Sequence, residues 1–141
     1  MRSLGLDIGD RRIGVALSDP EGILASPLAV INRRNESLDI EAITEIIRQH
    51  QVGQVVVGLP LSMDGSLGQQ AEKVKDFTRK LGEHTQVPLE YRDERLTTVM
   101  AEHLKRAAGG KKKGEKTRYD AQAAAIILQG YLDEKHKPEL T

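Results

Sequence analysis

Three acidic residues stand out by their type and their place in the surrounding pattern. Asp7 interrupts an alternating stretch, Leu4-Gly5-Leu6-Asp7-Ile8-Gly9, although aspartate is disfavoured inside strands. It shares a face with Gly5 and Gly9, and the next alternating stretch, Ile13 to Leu17, sets Gly14, Ala16 and Ser18 on a small face of its own. A carboxylate on a sheet face cleared of bulk leaves room for an ion or a backbone to approach. Glu94 falls in Arg92-Asp93-Glu94-Arg95, where a strand meets a helix capped by Thr97, and Asp120 opens the apolar run Ala121 to Leu128. Each acid also has a local reading. Asp7 can pair at a strand end with Arg11 or Arg12, Glu94 can be a solvated acid in a charged turn, and Asp120 can close a capping box with Thr117. Read together they carry more. Asp7 and Glu94 sit at or near C-terminal strand ends, where open α/β sheets place their ligands. With Asp120 they make an all-oxygen donor set, the kind that suits Mg²⁺ or Mn²⁺.

The charge distribution says what such a site could act on. The chain is formally neutral, 21 Lys and Arg against 21 Asp and Glu. Between Lys105 and Arg118, however, seven basic residues face Glu115 alone, with Lys111, Lys112 and Lys113 consecutive. A local patch can bind phosphates on a neutral protein, although a solvated loop would have the same composition. Acids converging on a divalent cation beside a basic patch suggest metal-assisted phosphodiester cleavage. Other chemistries are excluded or disfavoured. Cysteine is absent, so disulfides, thiolate zinc sites and a cysteine nucleophile are ruled out. No P-loop or GxSxG elbow occurs. Gly5-Leu6-Asp7-Ile8-Gly9 has neither the spacing nor the following helix of a dinucleotide site. His50, His84, His103 and His136 are scattered and read as surface residues. With 3% aromatics, base stacking on an aromatic platform is not expected.

These residues need positioning elements. At 141 residues the chain is read as one domain, residues 1–141. No apolar run is long enough for a membrane span, so a cytoplasmic location is expected. Strands are predicted around Leu4–Ile8, Ile13–Leu17, Pro27–Ile31, Val55–Val57 and Leu89–Arg92. Helices are predicted over Leu38–Ile47, Ala71–Leu81, Thr97–Ala107 and Tyr119–Leu132, with loops over Met63–Gly68 and Gly109–Lys116. Three antiparallel strands followed by alternating helices and strands predict an α/β fold: a mixed five-stranded sheet flanked by helices.

Four blocks along the chain resemble one family. GLDIGDRRIGVALSD (Gly5 to Asp19), GLPLSMDGSLG (Gly58 to Gly68), DERLTT (Asp93 to Thr98) and DAQAAAIILQGYLD (Asp120 to Asp133) resemble, in order, the blocks of the YqgF family, also called RuvX. The resemblance covers essentially the whole chain. It implies a ribonuclease H-like fold and a divalent-metal nuclease associated with 5′-end maturation of precursor 16S ribosomal RNA. It implies that Asp7, Glu94 and Asp120 are metal-binding catalytic acids; Arg12 and Arg95, which fall within the matched blocks, are candidate phosphate contacts, as Lys111, Lys112 and Lys113 are by their charge. The related RuvC-type resolvases carry an acid on the fourth strand, where this chain reads Val57-Gly58-Leu59-Pro60, and another one turn before the last, where it has Thr117. The expected partner is nucleic acid, precursor ribosomal RNA or branched DNA, bound by a monomer or homodimer. The alternatives are a Holliday junction resolvase acting on DNA and a non-catalytic RNA-binding factor of ribosome assembly. An actin-like ATPase is disfavoured, because one domain of this size lacks a second lobe to close over nucleotide.

Overall fold

Period-two patterning in the first 32 residues forms three antiparallel strands: β1 (Arg2–Ile8), β2 (Arg12–Ser18) and β3 (Ala25–Asn32). The computed structural model describes residues 1–97, Val99 and residues 113–136, the side chains of 113–118 excepted. Pro27 lies on β3, the edge strand, where the pairing register with β2 shifts; an edge tolerates the missing N–H. The pattern then changes to a helical period in α1 (Glu36–Gln49), whose start is closed by Asn35 accepting the Leu38 N–H at 2.9 Å, a standard N-cap role for asparagine. β4 (Val52–Leu59), α2 (Gln69–Gly82) and β5 (Leu89–Asp93) follow, then a 3-10 turn over Glu94–Leu96 and a long helix, α3 (Lys113–Lys135).

The strands form one sheet in the order β3-β2-β1-β4-β5. β1 pairs antiparallel with β2 and parallel with β4, and β4 pairs parallel with β5. Alternation divides the core between two faces. Leu4, Leu6, Ile8, Val55 and Val57 pack with Ile43 of α1 and Phe77 and Leu81 of α2. On the other face Ala16 and Val56 pack with Ala123, Ala124, Ile127 and Leu128 of α3. Fully burying a side chain such as Ile127 or Leu128 contributes about 1.5–3 kcal/mol, so α3 is firmly seated on the face that carries Asp7.

The mixed five-stranded sheet is as the patterning predicts. The last helix differs. Its apolar pattern begins at Tyr119, yet α3 begins at Lys113, because lysine, glutamate and arginine extend a helix by propensity without any apolar periodicity. Residues 113–116 are thus helical rather than loop. Thr117 lies within the helix and cannot be its N-cap, so the capping-box reading of Asp120 is overturned. Of the predicted Thr97–Ala107 helix, Thr97 follows the 3-10 turn and Val99 is helical; the other positions lie outside the described residues.

Candidate active site

Asp7 occupies the middle strand of the sheet with a glycine on each side. On β2 its partner is Gly14. The β1–β4 pairing runs to Leu6–Val57, and one step further sets Asp7 beside Gly58. Both glycines face α3, and both are closely approached. A Cβ on Gly14 would stand 1.9 Å from the backbone oxygen of Asp120. A Cβ on Gly58 would stand 2.6 Å from Ile127 Cδ1 and 3.1 Å from Glu94 Oε1. The two missing side chains let α3 settle on one flank of Asp7 and the Glu94 side chain on the other. Asp7, Glu94 and Asp120 are all buried, at 6, 1 and 6% exposure. The structure therefore gathers onto one sheet face, at the C-terminal ends of β1, β4 and β5, the three acids singled out in the sequence. It also overturns the reading of Glu94 as a solvated acid. Among the described residues, no group of three or more His, Cys, Asp or Glu side chains is placed to share one ion. In chemistry the three buried carboxylates fit a hard divalent cation; in spacing they do not yet close around one.

The cations nearby are engaged. Arg12 follows the β1–β2 turn and lies on the same face as Gly14, two residues along the strand. With the Asp120 backbone seated on Gly14, its carboxylate meets Arg12, Nε to Oδ2 at 2.6 Å. Of the two arginines that the local reading offers to Asp7, Arg11 and Arg12, the second pairs with Asp120. Arg95 grips Asp93 through Nε and Nη2, the latter 2.7 Å from Oδ2, and donates from Nη1 to the Met63 carbonyl at 3.1 Å. Asp93 also accepts the Arg95 backbone N–H at 2.9 Å, which caps the 3-10 turn. Residues 93 and 95 thereby close on each other at the surface, and Glu94 between them points into the protein. The Arg95 side-chain hydrogen bonds, with its backbone N–H and charge, hold the Asp93 carboxyl below its ordinary range against a desolvation effect of opposite sign.

Two positioning residues were not legible as such. Arg33 donates to the Gly9 carbonyl at 3.0 Å, pairs with buried Asp39 at 3.1 Å and stacks over Phe77. It ties the turn that leads to Arg12 onto α1 and α2. Arg92 is buried against Gly130 and reaches Glu134 at 2.8 Å, fastening β5 to α3. Its signal was its placement two residues before Glu94, on the same strand face. Lys111 and Lys112 lie outside the described residues, and so does the side chain of Lys113, the first residue of α3. His84 and His136 are exposed, their rings against the carbonyls of Lys80 and Gly22, and His50 is half-exposed. His103 is outside the described residues. An open groove of about 530 Å³ between β3 and α1, lined by Val30, Asn32, Leu38 and Glu45 among others, is away from the acids. No described helix is long and apolar enough to cross a membrane.

A family model described as RuvX: Holliday junction resolvase matches residues 1–134. A Synechococcus sp. protein named "Putative pre-16S rRNA nuclease" is 46% identical over 136 residues, covering 96% of this chain and 91% of that protein. One from Moorella thermoacetica with the same name is 47% identical over 133 residues, 94% and 95% of the two chains. Among solved structures, T. thermophilus RuvC in complex with a Holliday junction substrate superposes with a TM-score of 0.59 at 14% identity, over 97% of both chains. Fowlpox virus resolvase, solved with Holliday junction DNA, gives 0.52 at 9% identity over 97% of this chain and 100% of that one. At such identities the likeness concerns the fold, and it is the ribonuclease H-like fold of these resolvases.

Proposed function

This chain belongs to the RuvX family, and on that premise we propose that it is a divalent-metal-dependent nuclease that hydrolyses phosphodiester bonds in the 5′-end processing of precursor 16S ribosomal RNA. One observation carries the reading: three buried carboxylates, remote in sequence, are brought to one face at the strand ends by glycines at 14 and 58. Asp7, Glu94 and Asp120 would hold Mg²⁺ or Mn²⁺. What such an ion supplies when bound is Lewis acidity for the attacking water and charge to offset the leaving oxygen. Asp7 sits at the floor, on the most central strand. Glu94 is aimed inward by the Asp93–Arg95 clamp. Asp120 is carried by the rigid α3. Arg12, Arg95 and Lys111, Lys112 and Lys113 are the groups proposed to take the phosphates of the strand. The protein would act in the cytoplasm, as a monomer or homodimer.

The family description and the resolvase-like fold favour one second reading, cleavage of branched DNA. The deciding experiment offers precursor 16S RNA and a four-way DNA junction, each with Mg²⁺, Mn²⁺ or EDTA, to wild type and Asp7→Asn. Metal-dependent cleavage of the RNA alone, lost in Asp7→Asn, is the expected result. Symmetric cutting of the junction without action on the RNA would establish the second reading. Tight RNA binding with no cleavage, unaffected by Asp7→Asn, would leave a non-catalytic binding factor.

A further inference from the structure

We propose that Arg12 is a latch on Asp120: it occupies the carboxylate in the metal-free protein and is released as a divalent cation and a nucleic-acid phosphate bind, which couples the two. The inference rests on the reading of Asp7, Glu94 and Asp120 as the ion-holding acids. The contact is short, 2.6 Å from Arg12 Nε to Asp120 Oδ2, with 16 and 9% of the two side chains exposed. It follows from the sheet. Gly14 seats the Asp120 backbone against β2, and Arg12 is the next residue along that strand on the same face.

A guanidinium in this place competes with an ion for the same oxygen. Mg²⁺ sits about 2.0–2.1 Å from a carboxylate oxygen, which would leave it within about 5 Å of the guanidinium nitrogen, in a partly buried site where like charges repel strongly. In the latch, that repulsion moves Arg12 outward. It lies beside exposed Arg11, just past the turn, so its outward position is at the protein rim, where a phosphate offers the two oxygens that suit a planar guanidinium. A phosphate that takes Arg12 opens Asp120 to the ion, and an ion that displaces Arg12 frees it for the phosphate. By linkage each must strengthen the other by the same factor.

Two measurements test this without reference to turnover. In wild type, the Arg12 Nε–H resonance, followed by NMR through a Mg²⁺ titration, should lose its hydrogen-bonded shift and its exchange protection as the site saturates. Retention of both at saturation would overturn the latch. Calorimetric Mn²⁺ affinities are then compared with and without a phosphorothioate RNA oligonucleotide. Wild type should bind Mn²⁺ about 10-fold tighter with the oligonucleotide, within the usual range of such couplings. Arg12→Gln should bind Mn²⁺ about 10-fold tighter than wild type on its own, with little further gain from RNA, and Arg12→Lys should fall between. An Arg12→Gln protein that is folded and binds Mn²⁺ no tighter than wild type would show that Arg12 merely supports Asp120, and the latch would fall. Asp7→Asn separates the two failures. If it binds Mn²⁺ as wild type does, the ion site itself is misassigned and the latch falls with it. If it loses Mn²⁺ while Arg12→Gln gains nothing, the site stands and only the latch is refuted.

Discussion

Replacing Gly14 by alanine should damage this protein more than any other single added methyl on the α3 face. The new Cβ would stand 1.9 Å from the Asp120 carbonyl oxygen, 2.4 Å from its carbon and 3.1 Å from the Ala121 nitrogen. All three are backbone atoms, so no side-chain rotation relieves the clash. Real contacts stay beyond 3.0 Å, so α3 must withdraw from β2 by at least about 1.1 Å, in an interior packed like a crystal. Overpacking of this kind costs about 1–3 kcal/mol. A gap of about 0.5–1 Å also forfeits a quarter to a half of the dispersion attraction across it, which here involves Ala123, Ala124, Ile127 and Leu128. The total should lie at or above the upper end, about 3 kcal/mol, or a fall in Tm of about 10 °C for a chain of this size. Gly58→Ala is the internal control. Its closest contacts are Ile127 Cδ1 at 2.6 Å and the Glu94 side chain at 3.1 Å, both flexible ends that can move. It should cost about 1 kcal/mol and displace Glu94, so that activity falls much further than stability. Thermal and urea unfolding of both variants, followed by far-ultraviolet circular dichroism, gives the comparison. A Gly14→Ala protein that melts within about 2 °C of wild type, or one more stable than Gly58→Ala, would refute the argument.

Asp7→Asn and Glu94→Gln should each abolish metal-dependent cleavage while the protein stays folded; wild-type-like turnover by either would remove that residue from the mechanism. Asp120→Asn should melt lower than wild type in EDTA, by the equivalent of about 1 kcal/mol, because a partly buried Arg12 loses its charged partner; a higher Tm would mean that repulsion from Asp7 and Glu94 outweighs the Arg12 pair. The Asp93 carboxyl is held below its ordinary value of 3.8 chiefly by Arg95, so the stability it contributes is complete above about pH 5 and lost as pH falls through its lowered folded value. Asp93→Asn should therefore destabilise at pH 7 and progressively less as pH falls through the lowered folded value, and a pH-independent difference would show that the clamp does not act through charge. Neutralising Lys111, Lys112 and Lys113 should lower the salt dependence of nucleic-acid binding by about 0.7–0.9 per lost phosphate contact, and an unchanged slope would return them to the role of a solvated loop.

What the sequence shows of this site is what local period and residue size can show. Gly5, Asp7 and Gly9 on one side of β1, with Gly14 and Ala16 on β2, already describe a sheet face cleared for something to approach; the structure shows that a backbone does, at Gly14. The mixed five-stranded sheet follows from period and from the switch of antiparallel to parallel connections, whereas its strand order came with the structure. The start of α3 was not legible from apolar spacing, because residues 113–118 carry no apolar periodicity in sequence. The Arg12–Asp120 pair was not legible either, since its partners are 108 residues apart and meet only once α3 lies on β2. That pair is the reason Asp120→Asn is expected to lower the Tm, where repulsion among three acids alone would raise it.

The same logic accounts for the acid that β4 lacks. Beside the resemblance to RuvC-type resolvases, which implies an acid on the fourth strand, this chain reads Val57-Gly58-Leu59-Pro60, and in sequence that reads as a loss. In space the absence is filled: Glu94 Oε1 lies 3.1 Å from where the Cβ of residue 58 would stand, and Gly58 is paired with Arg92, two residues before Glu94. The carboxylate is delivered to β4 from the end of β5, across a position that must be small to admit it. An acid carried on β4 would be one way to place charge on this face, and a glycine there beside an acid after β5 is another. The second demands that the turn after β5 be held rigidly, which is what the Asp93–Arg95 clamp and its tie to the Met63 carbonyl provide.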